Sequence, residues 1–70
     1  MPSVHVRITR EGGTTAEQKA AVIAGMTKVL EDVLGKDPST TFVTIEEVEL
    51  ENWGIGGLPV EEFRRQRGAR

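Results

Sequence analysis

The residue whose type and position first offer chemistry is Pro2. If Met1 is removed, Pro2 becomes a free secondary amine held at the start of an extended stretch. An ordinary α-amine has a pKa of about 8. Burial among apolar groups, or nearby cations, lowers that value toward neutrality. A base whose pKa lies near the working pH is what proton transfer needs. Met-Pro is also a common start with no role, so the rest of the chain must decide between the two. His5 is the single histidine, and it reads most simply as an interface residue hydrogen-bonded to a neighbour. There is no cysteine, so a metal site would rest mainly on carboxylates, and no spacing favours one. The glycines of Gly54-Ile55-Gly56-Gly57 could cradle a phosphate. No Lys-Ser/Thr follows them, however, and no helix clearly opens there, which argues against a phosphate loop.

The elements that must position Pro2 follow from periodicity. From Ser3 to Thr9 polar and apolar residues alternate, with Val4, Val6 and Ile8 on one side, as in a half-buried strand. A turn with Gly12 and Gly13 comes next. Thr15-Ala16-Glu17-Gln18 has the form of a capping box, with Thr14 and Glu17 as the other register. A helix is predicted from about Ala16 to Leu34, its core stripe being Val22, Ile23, Met26, Val29, Leu30, Val33 and Leu34. Gly35 ends it and Pro38 prevents its resumption. A second strand is predicted over Thr41–Val48, with Val43 and Ile45 on one face and Phe42, Thr44 and Glu46 on the other. Strand, long helix and strand make a β-α-β unit with parallel strands and a right-handed crossover. The helix covers one sheet face. The other, carrying His5, Arg7, Phe42, Thr44 and Glu46, has no second helix to cover it, so another subunit is expected there; Arg7 and Glu46 could pair on or across it. Trp53 to Pro59 reads as a tight hairpin or arm, and Val60 to Arg70 as a short strand or turn on a neighbour with a frayed end.

Seventy residues allow one small domain, 1–70, which buries too little of its own surface to be comfortable alone. Without disulfides or a metal, oligomerisation is the usual remedy. A net charge of −2 does not suggest a nucleic-acid partner, although Arg64, Arg65, Arg67 and Arg70 crowd one end. No apolar run is long enough for a membrane span, and the first residues do not form a signal peptide. A cytoplasmic protein without a cofactor is the expectation.

The order of these pieces is specific. Pro2, the Glu11-Gly12 turn, Glu17-Gln18-Lys19, Glu46-Glu47 and Trp53-Gly54-Ile55-Gly56-Gly57 together resemble the 4-oxalocrotonate tautomerase family, from Pro2 to about Gly57. The resemblance implies an α/β (α+β two-layer) β-α-β subunit with a C-terminal β-hairpin, usually assembled as a hexamer. It implies an isomerase in which the N-terminal proline, here Pro2, is the general acid/base for enol–keto tautomerisation of a small conjugated 2-oxo or 2-hydroxy compound. Members acting on diacids place one arginine in the turn after Glu-Gly, where this chain has Gly13 or Thr14. They place another early in the second strand, where it has Phe42. The aromatic that walls the proline is matched by Trp53.

A carboxylate in a partly buried site needs a donor, preferably a cation of fork geometry. Arg10 lies just before the turn and could reach the site in a neighbouring subunit. Arg10, Thr14, Phe42 and Trp53 are therefore the residues expected to meet substrate, and poor activity on dicarboxylates is expected. Two alternatives stay open. One is a hydratase- or dehalogenase-type enzyme in which Glu11 or Glu46 activates water. The other is a non-catalytic subunit of the same fold, or one paired with a different, arginine-bearing chain.

Overall fold

The structure is a computed structural model that describes residues 1–68; the expectation of frayed final residues falls partly on Ala69 and Arg70, outside them. The elements are β1 (Ser3–Thr9), α1 (Ala16–Leu34), β2 (Phe42–Val48), β3 (Gly54–Ile55), β4 (Leu58–Pro59) and α2 (Val60–Gly68), with 3₁₀ turns at Pro38–Thr40 and Leu50–Asn52. The chain divides into two compact units. Met1–Val6 and Gly13–Glu46 form the first; Arg7–Gly12 and Glu47 onward form the second.

β1 and β2 pair in one sheet. Phe42 N–H donates to the Pro2 carbonyl at 3.0 Å where both strands begin, and Arg10 N–H donates to the Val48 carbonyl at 2.7 Å where both end. The strands therefore run the same way, and a crossover element must join them. That element is α1, and the sequence sets both its ends. The Thr15 hydroxyl accepts from Gln18 N–H at 3.1 Å, while the Gln18 side chain accepts from Thr15 N–H at 2.9 Å. The capping box thus uses Thr15 and not the Thr14 register. At the other end Gly35 takes φ 68°, a left-handed conformation that glycine alone adopts without strain. Its N–H closes on the Glu31 carbonyl at 3.0 Å.

The alternation along both strands is as the pattern predicts. Val4, Val6, Val43 and Ile45 are partly buried, whereas His5, Phe42, Thr44 and Glu46 are exposed. The stripe of α1 departs from expectation. In the single chain its residues from Val22 to Leu34 are not core: Val22 is 37% exposed, Val29 53% and Val33 74%. Seven apolar positions over four turns make a wider band than a two-stranded sheet can cover.

In the second unit, β3 and β4 form an antiparallel hairpin in which Ile55 faces Leu58. Gly56 and Gly57, at φ 62° and 83°, make the two-residue turn that matches strand twist. The end of the chain corrects the sequence reading. Val60–Gly68 is a helix, not a strand or turn. Its apolar residues, Val60 and Phe63, are too few to mark a stripe, but its charges suit a helix. Glu61 and Glu62 lie in the first turn and Arg65 and Arg67 in the last, complementing the backbone dipole. Glu62 pairs with Arg65 one turn on, and the Arg67 guanidinium lies 5.5 Å from the centre of the Phe63 ring. Val60, 6% exposed, is the buried apolar residue among those described, and its N–H extends the hairpin to the Trp53 carbonyl at 2.8 Å. A second helix therefore exists and does open after the glycine-rich segment.

Candidate active site

Pro2 is half-buried at the first rung of the β1–β2 ladder, next to an exposed Met1. Its carbonyl is held by Phe42 N–H, so the strand pairing that fixes β2 also fixes the proline. Its ring already restricts φ, so little backbone freedom is left at the residue. Phe42 stands beside it in the ladder, 54% exposed. Thr14, also in the first unit, is exposed just ahead of the α1 cap. Arg10 and Trp53 belong to the second unit. The structure thus brings Pro2 and Phe42 together through backbone. Trp53 is half-buried, with its N–H on the Leu50 carbonyl at 3.2 Å.

The outer face of β1 and β2 holds a connected set of polar side chains. His5 Nδ1 is 2.7 Å from the Thr44 hydroxyl, and His5 Nε2 is 3.0 Å from Glu46 Oε1. Hydroxyl, imidazole and carboxylate are the parts of a nucleophilic relay. Here all three lie on one open face, where the bonds tie strand to strand. His5 is hydrogen-bonded as expected, but within its own chain. The sequence signal for this was the period of two in both strands, which sets His5, Thr44 and Glu46 on one side.

Arg10 is engaged by the acidic run after β2. Its Nε–H donates to Glu49 at 2.6 Å, and Nη1 lies 3.7 Å from Glu47. Sequence reasoning assigned no role to Glu49; the crowding of glutamates from Glu46 to Glu51 was the signal available. Glu11 is held differently. Arg64 grips it with two N–H groups at 2.7 and 3.3 Å, and the Thr9 hydroxyl donates to it as well. The Arg64 hydrogen bond, then that of Thr9, lower its pKa from the usual 4.5 to about 2. A carboxylate so stabilised is a weak base, which counts against Glu11 as the group that activates water.

The same pair makes stability depend on acid. A carboxylate whose pKa is depressed on folding contributes stability above its unfolded value of about 4.5, and the contribution is lost as pH falls toward about 2. Glu11→Gln is therefore expected to lower the urea midpoint at pH 6 and to leave it near wild type at pH 2. Parallel curves for the two proteins across that range would remove the pair from the stability of the fold.

The comparisons with known proteins agree with one another. The family model described as "Tautomerase enzyme" matches residues 2–62. The chain is 59% identical over 66 residues to "Probable tautomerase K2" of Dickeya dadantii (strain 3937), covering 94% of this chain and 97% of that one. It is 40% identical over 53 residues to a 2-hydroxymuconate tautomerase of Comamonas testosteroni, covering 76% and 84%. Among solved structures, that of DmpI from Helicobacter pylori superimposes with a TM-score of 0.80 at 34% identity, covering 91% of this chain and 97% of that one. With a family model spanning almost the whole chain and relatives that match nearly end to end, the protein belongs to the tautomerase family.

Proposed function

We propose that this protein is a cofactor-independent tautomerase in which the nitrogen of Pro2, freed by removal of Met1, moves a proton within a small conjugated 2-oxo or 2-hydroxy compound. The observation that carries the reading is the fixing of Pro2 at the first rung of the parallel ladder, half-buried and bonded through its carbonyl to Phe42. The neutral amine takes the proton of the enol hydroxyl, or of the carbon next to a carbonyl. The electron pair shifts through the conjugated system, and the resulting ammonium returns the proton at another carbon. Only bonds to hydrogen and the π bonds of the conjugated system change, with no net oxidation or reduction, so no redox partner is required. Phe42 and Thr14 of the first unit, and Arg10 and Trp53 of the second, are the proposed substrate contacts, each judged on its own. A homo-oligomer, with a hexamer favoured, is the proposed working form; the uncovered stripe of α1 supports it.

The test is the state of the N-terminus. Intact mass should show Met1 removed in active preparations. A chain that keeps Met1 carries an amide nitrogen in place of the amine and is expected to convert enol to keto no faster than buffer. Equal rates for the processed and unprocessed chains would overturn the proposal.

A further inference from the structure

Val4 and Val6 of β1 share the inner face of the sheet with Val43 and Ile45 of β2, and all four are partly buried. Slipping β1 by one residue would turn its apolar side chains to the other face, which the burial of the inner face opposes. Slipping it by two would not, because one valine takes the place of the other. Such a slip would still carry Pro2 about 6–7 Å along β2, at the usual rise of a strand. The inner face therefore does not fix Pro2 at its rung, and a strand that starts a chain tends to fray. The outer face carries the missing information. Phe42 N–H on the Pro2 carbonyl pairs Phe42 with Ser3 in a parallel ladder, and so Thr44 with His5. In that register the His5 ring reaches two partners at once: the Thr44 hydroxyl lies 2.7 Å from Nδ1, and Glu46 Oε1 lies 3.0 Å from Nε2. One neutral tautomer satisfies both, with Nε2–H donating to the carboxylate and Nδ1 accepting from the hydroxyl. A two-residue shift one way sets His5 beside Phe42, with Thr44 where Glu46 was. A shift the other way loses the hydroxyl and leaves Glu46.

We infer that His5 is a positioning residue: with Thr44 and Glu46 it sets the register of β1 on β2 and so holds the nitrogen of Pro2 in place. This rests on the tautomerase reading above and deepens it. All the residues concerned lie in the first unit, and the ladder itself links them to the proline. Pro2 runs directly into the strand that carries His5, and Phe42, which bonds the proline, opens the strand that carries Thr44 and Glu46. The side chains of His5 and Glu46 are 47% and 48% exposed, so the clasp adds little to the stability of the fold. Its effect is a difference between registers, where a lost partner counts even when each bond is weak. Proton transfer is more sensitive than stability, since displacing a reacting group by about 1 Å can cost about a hundredfold in rate.

The experiment removes the clasp and keeps the strand. His5→Val and Thr44→Val both leave β-branched side chains suited to a sheet. Each should lower kcat for an enol about tenfold and leave KM near wild type, because the base is displaced while the substrate contacts remain. His5→Gln, whose planar amide again offers a donor and an acceptor, should recover most of the lost rate. Amide hydrogen exchange supplies a readout without turnover. Phe42 N–H, bonded to Pro2, should exchange about tenfold faster in both valine variants, the scale of one net hydrogen bond. Gly35 N–H, bonded to the Glu31 carbonyl at the end of α1, should keep its wild-type rate. Acceleration of both amides together would show a general loss of stability and overturn the inference. An unchanged exchange rate at Phe42, or a wild-type kcat in the valine variants, would overturn it as well. Should wild type convert no enol, the tautomerase reading fails, and the setting of register by His5 is still decided by the Phe42 amide.

Discussion

Replacing Pro2 by alanine is expected to slow enol–keto conversion by about two to four orders of magnitude, the usual contribution of a positioned general acid/base. The substitution keeps an α-amine at the chain start, so the loss reports more than the presence of nitrogen. Alanine gives up the ring that fixes φ, and its primary amine can swing away from the reacting proton. The backbone carbonyl that bonds Phe42 N–H is retained, so the β1–β2 ladder should survive. Circular dichroism and sedimentation should match wild type while the rate, followed by loss of enol absorbance, collapses. A rate within threefold of wild type would remove Pro2 from the chemistry.

The second large effect belongs to the apolar face of α1. Met26→Asp combined with Val29→Asp should dissociate the protein and leave weakly structured chains. Both residues stand on the stripe, 40% and 53% exposed in the single chain. Burying a side chain of this size contributes about 1.5–3 kcal/mol, so losing two per subunit removes much of the roughly 5–15 kcal/mol that holds a typical domain folded. Ala24→Gln, on the face of Lys28 and Glu31, is the control and should behave as wild type. A double variant that sediments as wild type would show that nothing covers this face.

How much was legible in the sequence differs from element to element, for physical reasons. Both strands and α1 were readable because each carries a dense periodic signal with a stop that has few substitutes: Thr15 with Gln18 at one end, Gly35 at the other. The hairpin was readable because two adjacent glycines allow a turn that other residues resist. α2 was not, because Val60 and Phe63 give too short a pattern and its helical character lies in the charges, which also suit an exposed tail. The burial of the α1 stripe was misjudged because periodicity reports that a face is apolar and says nothing of what lies against it. Of the candidate site, Pro2 followed from type and position. The hold of Glu49 on Arg10 and of Arg64 on Glu11 joins residues 39 and 53 positions apart, which no local pattern encodes.

The make-up of the second unit bears on how the protein comes off the ribosome. One of its segments, Arg7–Gly12, is synthesised well before the other, which begins only at Glu47. The grip of Arg64 on Glu11 closes a loop of 53 positions, and closing long loops slows folding more than it weakens the folded state. Until Glu49 and Arg64 have been synthesised, Arg10 and Glu11 lack the partners that hold them. α1, whose cap and stop lie close together in the chain, can already have formed. The nascent chain therefore displays an amphipathic helix before the rest is complete, and early encounters between such helices are where misassembly would begin.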